Sequence, residues 1–197
     1  MIAVFSLMRR RGGIDIDAFN RHWLDPHGVL VCRFPKLRRY SQNRVTAAFS
    51  PTAEALGLDG IAELAYDSNE DQEAATNSPE MAACDVDSPQ FIGAVVRIVT
   101  EATIVMSPPS GSGVPKLVLL FPPGVSRPKL EPAGLVGRIE NTTKLQRGPK
   151  SAMPVVDFPV GHITELWFES RDALAAAARS VDSEGTAVLG IEEVRLV

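Results

Sequence analysis

Apolar and polar positions change period several times along the chain, and each change marks an element. IAVFSLM (2–8) is a short apolar run closed by RRRGG, which predicts a strand. Asp15 is a good N-cap, and the spacing after it predicts a helix to about Phe34. LRRYSQNRV (37–45) alternates and reads as a strand, and GIAELAYD (60–67) reads as another. Ser68 with Asp71 three residues on forms a partial capping box for a helix to about Ala83. FIGAVVRIVTEATIV (91–105) is apolar and rich in β-branched residues, hence a last strand. MSPPSGSGVP (106–115) then breaks all periodicity, as a linker does.

The segment after the linker reads as a worn copy of the segment before it. KLVLLFP (116–122) takes the place of the opening strand, and RIENTTKLQ (138–146) that of RRYSQNRV. HITELWFESRDALAAAA (162–178) aligns with GIAELAYDSNEDQEAAT (60–76) at an offset of 102, which makes Ile61/Ile163, Glu63/Glu165, Leu64/Leu166 and Ser68/Ser170 identical pairs. VLGIEEVRLV (188–197) closes the copy as a strand. The first helix has no counterpart, since RPKLEPAGLV (127–136) suffices for no more than a helical turn. A βαββαβ order is that of the ferredoxin-like plait, whose open sheet face needs a partner. The expected fold is therefore α+β: two tandem ferredoxin-like units, 1–105 and a degenerate 116–197, packed sheet to sheet as an intramolecular α+β barrel.

Composition narrows the function classes. A length of 197 residues suits one or two domains, and 45% apolar with 22% charged residues is ordinary for a globular chain. The formal charge of −4 argues against general nucleic-acid binding. Apolar runs such as LVLLF (117–121) are too short to span a membrane, and the basic cluster RRR follows the N-terminal apolar run, the reverse of a secretory signal. Cys32 and Cys84 form no disulfide framework or CxxC motif, so a reducing cytoplasm is the expected compartment.

The first helix carries the most chemistry. Phe19, Trp23, Leu30 and Phe34 fall on one face at 100° per residue, with His27 at one edge of that stripe and His22 at the other. Pro26 lies inside the helix, so a kink is expected near residues 22–26. A histidine beside a kink can give one ring nitrogen to the protein and turn the other to a cavity, where it serves as acid or base; the plain alternative is a half-buried structural histidine. In the 37–45 strand, Arg38, Tyr40, Gln42 and Arg44 share one face, and Arg39, Ser41 and Asn43 the other. Glu63, repeated as Glu165, sits centrally in an apolar strand, where an unpaired carboxylate is costly. Both are expected to point into a shared interior, either for proton transfer or to anchor an arginine.

Other schemes find less support. His22 and His27 are five residues apart, not the four that bring two ligands to one helical face, and His162 is remote, so no metal is expected. GGID (12–15) and GSG (111–113) lack the fuller glycine pattern of nucleotide binding, so no nucleotide cofactor is expected either. The cysteines lack a local base and read as small packed residues. RRYSQNR (38–44) is basic but lacks the aromatic pattern of an RNA-binding strand.

The ordered motifs Phe19-x3-Trp23-x3-His27-Gly28, PKLRRYSQNRV (35–45), DGIAELAYDS (59–68), SPE (78–80), Phe91-Ile92 and Thr100-Glu101 resemble the EthD family of dimeric α+β barrel proteins. The resemblance covers residues 2–105 closely and 116–197 loosely. It implies a plait that usually pairs through its sheet, and activities that include ether-degradation auxiliaries, lactone isomerases and dehydratase-like or decarboxylase-like enzymes of polyketide pathways. These work without a redox cofactor in an apolar cavity between helix and sheet. Carried over by motif, His27 is the leading acid/base, with Tyr40, Asn43 and Glu63 as further catalytic candidates. Phe19, Trp23, Phe34, Gln42 and Glu165 are candidates for binding the substrate. The second half lacks the Phe-x3-Trp-x3-His helix, which implies one working site per chain. The expected function is a cofactor-independent lyase or isomerase for a small apolar oxygenated or aromatic compound. The alternatives are a non-catalytic carrier of a hydrophobic metabolite and an interaction module. No nucleic acid or membrane partner is expected, and the chain is a monomer or a homodimer.

Overall fold

The structure is a computed structural model that describes residues 1–111, 113–125, 130–149, 152–181 and 184–197. Among them, eight strands close into a single antiparallel barrel with few helices. The strands are β1 (Ile2–Arg10), β2 (Arg39–Ala48), β3 (Gly60–Tyr66), β4 (Ile92–Met106), β5 (Lys116–Phe121), β6 (Leu135–Arg147), β7 (His162–Phe168) and β8 (Ala187–Arg195). Their order round the barrel is β1-β3-β2-β8-β5-β7-β6-β4. Each half contributes its first, third, second and fourth strands in the same relative order, and the halves join edge to edge through β2–β8 and β4–β6. Sheet-to-sheet packing was the expectation; instead, ladder bonds between the edge strands close one continuous sheet, which leaves no strand edge unpaired.

Local chemistry explains the helices. Asp15 accepts a hydrogen bond from the Ala18 N–H at 2.6 Å and caps α1 (Ile16–His22). A wider π-type turn, Trp23–His27, follows, and then α2 (Gly28–Val31). Asp25 is extended at the point where Pro26 supplies no N–H, so the expected single helix is kinked within the predicted stretch. α3 (Pro51–Leu56) escaped the periodicity, although Ser50 as cap, Pro51 in the first turn and left-handed Gly57 at the end are its signature. The helix expected over 68–83 is two helices, α4 (Asn69–Thr76) and α5 (Pro79–Asp87), because Ser78 caps a fresh start before Pro79. In the second half, Ser170 caps α6 (Arg171–Ser180) as Ser68 caps α4. The turn expected over 127–136 falls partly on residues 126–129, outside the described residues; residues 130–134 form no helix.

Alternation along the strands divides the core. Phe5, Leu7, Ile61, Ile98, Val118 and Ile163 belong to an apolar cluster that fills the barrel. Phe19, Trp23, Tyr40, Leu64, Phe91 and Val95 pack the outer face of the first half beneath its helices. Leu117, Phe121, Leu166, Leu174 and Val188 do so beneath α6. Among the described residues no helix is long and apolar enough to cross a membrane.

Candidate active site

A cleft opens between the kinked first helix and the outer face of the first-half sheet. Its empty volume is about 710 Å³ with the mouth included. The walls are largely apolar: Val4, Met8, Phe34, Leu64 and Val95 among them. The polar groups on the walls include those of Trp23, His27, Tyr40, Tyr66, Arg97 and Arg147.

The kink aims His27. Its Nδ1 lies 2.8 Å from Asp87 Oδ2, and the other oxygen of Asp87 lies 3.0 Å from His22 Nε2. A carboxylate only accepts, so Nδ1 of neutral His27 carries the proton and Nε2 keeps its lone pair. Since His27 lines the cleft, Nε2 is the nitrogen it presents to a ligand. Phe91 packs on both imidazoles, 4.8 Å from His22 and 4.9 Å from His27 between ring centroids. Burial lowers the proton affinity of His27, and the Asp87 carboxylate offsets only part of that. His27 is therefore a neutral base at pH 7.

Tyr40 is the second polar centre. Its hydroxyl accepts from Trp23 Nε1 at 3.0 Å and from Gln42 Nε2 at 3.0 Å. With both lone pairs engaged, its own proton is free to be donated, and burial pushes its pKa up, so the phenol stays protonated. Gln42 also donates to the Trp23 carbonyl at 2.6 Å, tying the strand to the kinked turn.

The structure thus gathers Trp23, His27, Phe34 and Tyr40 on the cleft, with Gln42 behind Tyr40 and Phe19 behind Trp23 at 5.5 Å between ring centroids. It separates Asn43, Glu63 and Glu165 from them. Side chains alternate along a strand, so Asn43 faces opposite to Gln42, and Glu63 opposite to Ala62 and Leu64. All three lie inside the barrel around Lys116, a residue the sequence pattern did not single out. Lys116 Nζ is 2.7 Å from Glu165, 3.3 Å from Glu63, 3.3 Å from Glu193 and 2.9 Å from Asn43 Oδ1, and it sits 4.5 Å from the centroid of the Trp167 ring. Arg39 pairs with Glu63, and Arg195 with Glu193. Burial raises the Glu63 pKa, but Lys116 and Arg39 outweigh it and hold the carboxyl low. Glu165 goes the other way: burial and the charge of Glu63 push it up, to about 7.

Sequence reading missed Tyr66, Arg97 and Arg147 as cleft residues, and Asp87 as the partner of His27. Arg97 interrupts the apolar run VVRIV, which was a usable signal; Asp87 closes a helix 60 residues from His27 and gave none. His162 stands with Glu140 in the second half, so the three histidines do not converge.

Residues 11–94 match the family model described as the EthD domain. No protein of curated function matches the sequence. An anthrone oxidase-like protein of solved structure matches with a TM-score of 0.62 at 9% identity, over 98% of this chain and 91% of that one. A chlorite dismutase mutant from Candidatus Nitrospira defluvii matches with a TM-score of 0.50 at 10% identity, over 96% of this chain and 90% of that one. An EthD-family protein of Bacillus halodurans is 25% identical over 51% of this chain and 97% of its own, with a TM-score of 0.44. At 9% and 10% identity, the two long matches establish a shared fold.

Proposed function

We propose that this chain, whose residues 11–94 match the EthD domain model, is a cofactor-independent lyase or isomerase that moves a proton on a small apolar oxygenated or aromatic compound held in the cleft. The observation that carries this reading is the His27–Asp87 pair, 2.8 Å apart, at the wall of an apolar cleft. His27 Nε2 takes a proton from a carbon next to a carbonyl. The electron pair left behind moves to the carbonyl oxygen, which accepts a hydrogen bond from the Tyr40 hydroxyl. Such stabilisation of developing charge is where an enzyme gains most. The imidazolium, steadied by Asp87, then returns the proton, either to another carbon, giving an isomer, or to a departing hydroxyl, releasing water.

On this reading the chain is two tandem ferredoxin-like units, 1–105 and 116–197, joined by 106–115, and only the first keeps a site. Asn43, Glu63 and Glu165 serve the barrel and not the chemistry. Because the barrel closes within one chain, the site is complete without a second copy.

The test incubates wild-type protein and His27→Ala with lactones, phenols and polyketide-like compounds and follows bound and converted mass. Conversion by wild type alone supports the reading. Retention by both proteins without conversion replaces it with a carrier, and equal conversion by both removes His27 from the mechanism.

A further inference from the structure

One wall of the cleft carries more positive charge than the protein neutralises. Arg97 of β4 and Arg147 of β6 are directly opposite each other in the ladder between these strands, and both line the cleft. Like charges in that position repel and destabilise a sheet unless something compensates. Asp85 compensates one of them, 3.0 Å from Arg97 Nη2. The Arg147 side chain, half-buried, makes no hydrogen bond or ion pair among the described residues. Among the described residues no Asp or Glu side chain lines the cleft; Asp85 and Asp87 stand behind Arg97 and His27. Tyr66, on the same wall, makes no hydrogen bond through its hydroxyl among the described residues, although the residue is buried. Two guanidinium groups, a free phenol donor and apolar walls together describe a receptor for a flat anion with an apolar body.

We infer that the cleft takes a small organic carboxylate, with the anionic group held between Arg97 and Arg147 and the unsaturated or aromatic body against Leu64 and Val95. This rests on the reading of the cleft as the substrate site and names the class of compound it admits. Guanidinium–carboxylate hydrogen bonds are among the strong ones, and a neutral ester of the same shape cannot accept them as an anion does.

The test uses calorimetric titration of the full chain with benzoate and crotonate and with their methyl esters. Wild type should bind at least one acid about tenfold or more tightly than its ester. Arg147→Gln, at a half-buried position without protein partners, should erase most of that preference, and Arg147→Lys should keep part of it in a salt-sensitive form. An ester that binds as well as its acid, a preference that survives in Arg147→Gln, or the absence of saturation by both acids overturns the inference. His27→Ala decides the two readings separately. Acid-selective binding by this variant and by wild type, with no conversion by wild type, would uphold the anion site and retire the proton-transfer reading.

Discussion

Each half of the barrel carries a histidine–carboxylate pair on its outer face, and the two pairs have opposite surroundings. In the first half, Asp87 holds Nδ1 of His27, and the other ring nitrogen is left to a cleft. In the second half, Glu140 receives His162, Thr164 at 2.8 Å and Arg138 at 2.6 Å. Those hydrogen bonds outweigh burial and lower the Glu140 pKa. One pair is a tool with a free end; the other is a tie within the sheet.

The registers show how the halves diverged. Tyr40 faces Leu64 as Arg138 faces Leu166, and Gln42 faces Ala62 as Glu140 faces Thr164. Gly60 corresponds to His162. A Cβ on Gly60 would lie 2.4 Å from the Trp23 ring, so the absent side chain is what lets the first helix settle on the sheet. His162 takes that position in the second half, where the described residues form no such helix. Inside the barrel the halves stayed alike: Asn43 donates to Glu63 at 3.4 Å, and Asn141 to Glu165 at 3.0 Å. Closure of the barrel constrains both inner faces at once, whereas an outer face answers only to what covers it.

The largest expected effect breaks the shared inner face. Lys116→Met removes the cation that three buried carboxylates face and should cost about 3–5 kcal/mol in urea unfolding at pH 7. In wild type, Glu63 sits low, so its contribution is present above the ordinary carboxylate range and is lost as pH falls below it. In the variant the uncompensated carboxyls prefer their protons, so the difference between the two proteins should shrink in acid. A cost below about 1 kcal/mol at pH 7 would mean that Arg39 and Arg195 alone suffice.

Next come the two outer carboxylates. Asp87→Asn should lower turnover about 100-fold, about 2.7 kcal/mol, while Glu140→Gln should leave turnover intact and cost stability alone. Asp87 raises the proton affinity of His27, so its loss should also move the acid limb of the rate profile to lower pH, a shift that a merely structural role would not produce. Equal loss of turnover in both variants would erase the distinction between the halves.

The smallest effect probes the seat of the helix. Gly60→Ala drives a methyl group into Trp23 and should cost about 1–3 kcal/mol in thermal or urea unfolding. It should also weaken ligand binding in the cleft. A neutral outcome would mean that the kinked turn rides outward freely.

Much of this was legible in one dimension. The strands, the kink near Pro26 and the Glu63/Glu165 repeat follow from local patterns, because period, caps and proline act over a few residues. His27, Trp23, Phe34 and Tyr40 came to the cleft because they share a helix stripe and a strand face that must meet. Asn43 and Glu63 illustrate the limit. Alternation put them on the face opposite to Tyr40, but which face would be barrel and which cleft was set by closure across β2–β8 and β4–β6. Lys116 read as the polar start of a strand and became the centre of the interior through contacts with residues 53 and 77 positions away. Arg147 reaches the cleft, and Asp87 reaches His27, in the same way. Local backbone and side-chain preferences set the strands, their order and the histidine at the head of the site, and these can be read along the chain. Which charges neutralise each other and which are left for a ligand depends on distances between segments remote along the chain, and so on how the barrel closes.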